Sequence, residues 1–168
     1  MPEELYVEDV LADGPFCSIQ RTLDVVGDRW TFLILREALN EGETQFTGFT
    51  KMLGIAPNIL TDRLKKLVEA GILEKREYQV PGSRPRFSYH PTEAGQQLRL
   101  VLAALAQWGD DNNPHPRGPS QRRETTGDHR AVRIGYIDDR NRPRDPGDVT
   151  WVNTETYPYA LREKLRSS

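Results

Sequence analysis

The sequence predicts an α+β fold, mostly helical, built around one central helix with a β-hairpin directly behind it. Three observations carry this expectation. The stretch Pro57 to Gly71, PNILTDRLKKLVEAG, places Leu60, Leu64, Leu67 and Val68 at i, i+4, i+7 and i+8, one face of a helix. Behind it, ILEKREYQV and RFSYH switch to strand-like patterning around the turn cluster PGSRP. Ahead of it, the chain from Cys17 to Gly54 reads as three further helices.

Composition bounds the remaining possibilities. A chain of 168 residues holds one substantial core with a small appended unit. No apolar run approaches the roughly 20 residues that a membrane helix needs. The first ten residues, MPEELYVEDV, lack the basic and apolar regions of a signal peptide. The single cysteine, Cys17, excludes an intrachain disulfide and suits a reducing compartment, so the cytoplasm is the expected location. The net charge of −2 is unevenly spread. Residues 1–44 carry three Arg against ten acids, about −7, whereas residues 45–90 carry eight Lys and Arg against four acids, about +4. Local field decides whether phosphates are attracted, and the basic excess sits around the central helix.

Residues 1–16 read as an acidic arm closed by Gly14-Pro15. Ser18 can cap a helix from about Ile19 to Val26, with Ile19, Leu23 and Val26 inward and Gly27 at its end. Asp28 caps a second helix, Arg29 to about Leu39, which is apolar around most of its circumference and is therefore expected to be central and buried. Phe46, Phe49, Met52 and Leu53 make a third helix that Gly54 stops. Ile55-Ala56-Pro57 connects it to the central helix, the layout of a helix-turn-helix with the second helix as reader. Winding that helix at 3.6 residues per turn turns Asn58, Thr61, Asp62, Lys65, Lys66 and Glu69 outward. Such a face is either an ordinary solvated surface or a set of donors and acceptors for the major groove. Arg84 and Arg86 lie near the tip of the following hairpin, where a wing holds the backbone or enters the minor groove. A charged hairpin that only guards its own edge is the plainer alternative. Together these elements predict a winged helix-turn-helix domain. Its expected DNA contacts are Thr47, Lys51, Asn58, Thr61, Asp62, Arg63, Lys65, Lys66, Arg84 and Arg86.

From Cys17 to Gly109 the chain resembles the HxlR family of bacterial regulators, related to the MarR-type winged helices. The segments that carry the resemblance are CSIQRTLDVVGDRWTFLILREAL, LTDRLKKLVEAGILEKREY, RPRFSYHPTEAG and AQWGD, in family order. Pro91 departs from the pattern, since relatives often carry Leu before Thr-Glu. The resemblance implies a homodimeric transcriptional regulator whose first and last helices form the dimer and whose helix-turn-helix and wing bind double-stranded DNA. It also implies that Cys17 can respond to oxidants or electrophiles, as the matching cysteine does in some members.

Thr92 can cap the next helix, running to about Trp108, with Leu98, Val101, Leu102, Leu105 and Trp108 along one side. That side is either core or, with Leu23, a seam to a second copy; a C2 contact would set two reader helices on one side of the DNA. The domain is thus expected to span 17–111, followed by a Pro- and Gly-rich linker, 112–127, and a C-terminal extension, 128–168. In the extension Val132, Ile134 and Tyr136 alternate, as do Val149, Trp151 and Asn153, which predicts a β-hairpin with a long charged loop. YPYALREKLRSS reads as a last short helix.

No catalytic constellation is legible. His90, His115 and His129 are scattered and Cys17 has no partner at zinc-ligand spacing, so no metal and no cofactor are expected. No phosphate-binding loop, zinc-protease or nucleophile-elbow pattern occurs, and an enzyme is not expected. Cys17 stands at a helix entrance, where a thiol is either a redox switch or a half-buried packing residue. An aromatic ligand pocket near Trp30, Phe32 and Trp108 is a further option, against plain core. The expected function is a sequence-specific transcriptional regulator, a repressor by expectation, acting as a homodimer on a palindromic operator and open to a redox or small-molecule effector. The alternative is a winged-helix module that binds protein instead of DNA.

Overall fold

The computed structural model describes residues 17–154. The acidic arm and the last predicted helix lie outside the described residues. Five helices and a two-stranded antiparallel sheet form a winged helix-turn-helix.

Helix α1 (Ser18–Val26) turns at Gly27 into α2 (Arg29–Arg36). Asp28 starts α2 by accepting from the amides of Trp30 (2.9 Å) and Thr31 (3.3 Å), the capping role its position predicts. The expected single helix to Leu39 instead widens into a π-helical turn, Glu37–Glu41, closed by Gly42 at φ 71°. The wider turn lets three consecutive residues, Glu37, Ala38 and Leu39, all face inward, which a regular helix does not allow. Helix α3 (Phe46–Leu53) stops at Gly54, φ 61°, and α4 (Pro57–Glu69) follows. Strands β1 (Leu73–Tyr78) and β2 (Arg86–Pro91) pair from Leu73↔Pro91 to Tyr78↔Arg86. Pro91 thus ends its strand, a position where its missing N–H costs little.

The core gathers Val26, Ile34, Leu35, Leu39, Phe49, Leu60, Leu64, Leu67 and Leu73. Ile55, read from the sequence only as connector, is 2% exposed and pins the turn between α3 and α4 to this core. Ile19 and Leu23, expected inward, are exposed on α1, because only Val26 of that helix reaches the core.

Helix α5 (Glu93–Asn112) runs a turn beyond the expected end. Thr92 caps it by accepting from the Gly95 amide (3.1 Å) and donates to the Gly71 carbonyl (2.6 Å), tying α5 to the corner after α4. A Cβ at Gly95 would lie 2.3 Å from the Ile72 carbonyl oxygen, so only glycine allows this approach.

Past α5 the expected hairpin is not formed. The strands are two residues each, β3 (Tyr136–Ile137) and β4 (Pro143–Arg144), and Val149, Trp151 and Asn153 lie outside any strand. No residue from 113 to 154 is buried, so alternation there marks no inner face. The segment is held by polar contacts instead. The Gln107 amide pairs both ways with the Ile134 backbone (2.9 and 2.8 Å), and Arg133 bonds Asp111. Asp138 accepts from the Arg142 side chain and from Arg144 Nε (3.0 Å). Among the described residues, no helix is long and apolar enough to cross a membrane.

Candidate nucleic-acid interface

Helix α4 is positioned by its apolar face and by one ion pair. Leu60, Leu64 and Leu67 are buried, which turns Asn58, Thr61, Asp62, Lys65 and Lys66 to solvent, as the helical spacing predicts. Pro57 occupies the first turn and Ala56 supplies no side-chain cap, so the entrance of α4 is left open. The Thr61 hydroxyl donates to the Pro57 carbonyl (2.8 Å), which leaves its oxygen free to accept from outside.

Arg63, counted with the outward residues from the sequence, turns inward. Its Nε donates to Asp28 Oδ1 (2.8 Å) and a terminal nitrogen donates to Oδ2 (3.1 Å). A guanidinium held bidentately on a carboxylate is not available to a phosphate. Burial alone would push the Asp28 carboxyl up. The hydrogen bond from Arg63, the Thr31 and Trp30 amides and the Arg63 charge outweigh it and hold the group below its ordinary value. Arg63 therefore sets the angle of α4 on α2.

The same sorting applies to the other cations of residues 45–90. Lys65 reaches Glu69 (3.7 Å), Arg76 pairs with Glu74, and Lys75 sits over the Phe87 ring at 3.7 Å. Lys51, Lys66, Arg84 and Arg86 are exposed and, among the described residues, have no ion pair. One lies on α3, one on α4 and two on the wing. Thr47, one turn before Lys51, is exposed on the same side of α3.

The wing is braced at its base. The Tyr89 amide donates to the Thr44 carbonyl (2.8 Å), and Gln45 bridges to Ser88, which fixes β2 against the entrance of α3. At the tip the Gln79 side chain donates to the Ser83 carbonyl (3.2 Å), and Gly82 takes φ 78°. This brace was not legible, because Thr44 and Gln45 carry no pattern of their own.

The six predicted seam residues divide. Leu98 and Leu102 pack on the chain's own core, while Leu23, Val101, Leu105 and Trp108 are exposed, Trp108 at 66%. Trp30 and Phe32 pack against the core, and Trp108 is not among the core-packing residues, so the suggested pocket among the three is not assembled within one chain. Cys17 is exposed just before α1.

Residues 25–116 match the HxlR-like helix-turn-helix family, a little over half the chain. Rv3095 of Mycobacterium tuberculosis, an uncharacterised HTH-type transcriptional regulator, is 40% identical over 119 residues, 70% of this chain and 73% of that protein. The crystal structure of PA1607, a proposed transcription factor, superposes with a TM-score of 0.71 at 34% identity over 83% of this chain and 96% of its own. That likeness runs past the family match. The oxidised form of the redox regulator HypR is similar over 59% of this chain and all of its own, with 30% identity and a TM-score of 0.52. With its reader helix, wing and family match in agreement, the chain belongs to the HxlR-like helix-turn-helix family and is a transcriptional regulator of that kind.

Proposed function

We propose that the protein is a sequence-specific DNA-binding regulator that acts as a homodimer on a palindromic operator. The observation that carries this reading is the set of uncommitted cations, Lys51, Lys66, Arg84 and Arg86, flanking the outward polar face of α4. A module that bound only protein would have no use for unpaired cations placed on both the helix pair and the wing. Phosphate contacts hold register, and Asn58, Thr61 and Asp62 on the reader face supply the donors and acceptors that distinguish base pairs. Lys65 adds charge beside them, partly drawn to Glu69.

The homodimer rests on exposed apolar side chains. Leu23 and Val25 on α1 and Leu100, Val101, Leu105 and Trp108 on α5 have no cover within the chain. A C2 contact through these helices would set two reader helices for successive half-sites about 34–36 Å apart. Cys17, accessible beside α1, is the proposed point of redox control, by analogy with HypR, which is named a redox regulator. Modification there acts on the spacing of the reader helices.

Gel retention on palindromes from the DNA flanking the gene tests the reading. Retention of one palindrome in excess of a scrambled duplex is the expected result. Equal retention of every duplex, or none, would contradict it.

A further inference from the structure

Beside the wing lies a cleft of about 310 Å³ that the DNA-binding reading does not use. Phe46 and Thr47 from the first turn of α3 form one wall, and Tyr78, Arg86, Phe87 and Tyr89 from the hairpin form the other. Its lining is four aromatic rings, one threonine and one guanidinium, with no acidic residue. Arg86 has no ion pair, and the Tyr78 and Tyr89 hydroxyls have no hydrogen-bond partner, among the described residues. Burial pushes the Tyr89 phenol above its ordinary value, so it remains a protonated donor at neutral pH.

We propose that this cleft is an effector site for a planar aromatic carboxylate of one or two rings. Rings prefer offset or edge-to-face contact with other rings, and four of them leave room for a flat apolar body. A free guanidinium matches a carboxylate with two parallel N–H donors, and the phenols can donate to the same oxygens. The volume is roughly twice the ~150 Å³ that holds one benzene ring. Inorganic phosphate would satisfy the cation but gain nothing from the rings.

The regulatory consequence rests on the DNA-binding reading. Thr47 and Arg86 belong to both the cleft and the proposed DNA face. A carboxylate on Arg86 withdraws that cation from the phosphate backbone, once per subunit, and so loosens the operator.

Titration calorimetry of the full chain with 2-naphthoate, in the absence of DNA, tests the site. Saturable binding of one molecule per chain is expected. Affinity should fall at least about tenfold for uncharged 2-naphthamide, for Arg86→Gln, and for non-aromatic cyclohexanecarboxylate. Tyr78→Phe should weaken it less, and Arg84→Gln, outside the cleft, should leave it unchanged. Absence of saturation at millimolar naphthoate, or equal binding by the amide or by Arg86→Gln, would overturn the proposal. So would a result in which Arg86→Gln and Tyr78→Phe both weaken DNA binding while naphthoate does not bind, since the cleft would then be part of the DNA footprint. Because the titration contains no DNA, it stands even if the operator reading fails. If that reading holds, naphthoate should weaken operator binding by the native protein and not by Arg86→Gln.

Discussion

Asp28 joins three things: the start of α2, the angle of the reader helix, and an acid-sensitive share of stability. Its carboxyl is held below 3.8, so its contribution is complete above that pH and is lost as pH falls through the lower, folded value. Acid unfolding of Asp28→Asn should accordingly show a shallower dependence on pH in this window than the native protein; parallel curves would contradict the role. Arg63→Ala should lower stability by about 1 kcal/mol in chemical denaturation. It should leave operator preference intact, because the guanidinium faces Asp28 and not the groove. A second residue-scale prediction concerns the close approach at Gly95. Gly95→Ala brings a Cβ to 2.3 Å from a backbone oxygen and should cost about 1–3 kcal/mol, whereas Gly109→Ala on the same helix meets nothing within 4 Å and should be neutral or slightly stabilising. Equal denaturation midpoints for the two variants would contradict this account of how α5 docks.

At the scale of elements, α4 and the wing divide the labour of reading and holding. Asn58→Ala or Thr61→Ala should relax discrimination by roughly 1–3 kcal/mol per lost base contact, with little change on unrelated duplexes. Arg84→Ala should instead weaken every duplex alike and flatten the salt slope by about one unit. Competition assays across sequences separate the two outcomes. These elements were legible because the leucines of α4 and the capping residues Asp28 and Thr92 record burial and hydrogen bonding that the fold does use. The extension was misread for the converse reason. Alternation of Val132, Ile134 and Tyr136 signals an inner face, and the segment has none. Its strands form where Asp138 collects Arg142, Arg144 and the Arg140 and Arg142 amides, a pattern with no period to detect. Hydrogen bonds from the Arg142 amide and side chain lead in holding Asp138 at about 2, below its ordinary 3.8. Order in the β3–β4 turn should thus persist at pH 5 and fade as pH falls from 3.8 toward 2, followed by its amide signals in NMR. The inward turn of Arg63 escaped notice too, since an arginine at that spacing reads alike whether it faces solvent or a carboxylate on another helix.

The apolar faces of α1 and α5 belong to the whole molecule. Leu23 and Leu105 were recognised as apolar from spacing alone, but the same spacing serves a core or a seam between copies, and only their exposure in the folded chain separates the two. The central claim is that two subunits present Lys51, Lys66, Arg84 and Arg86 to one palindromic duplex. The salt dependence of operator affinity measures this most directly. Eight phosphate contacts per dimer predict a slope of about −7 in log Kobs against log salt, and about half that for a single subunit on a half-site. A slope near zero on the palindrome, or the same slope on palindrome and half-site, would contradict the account.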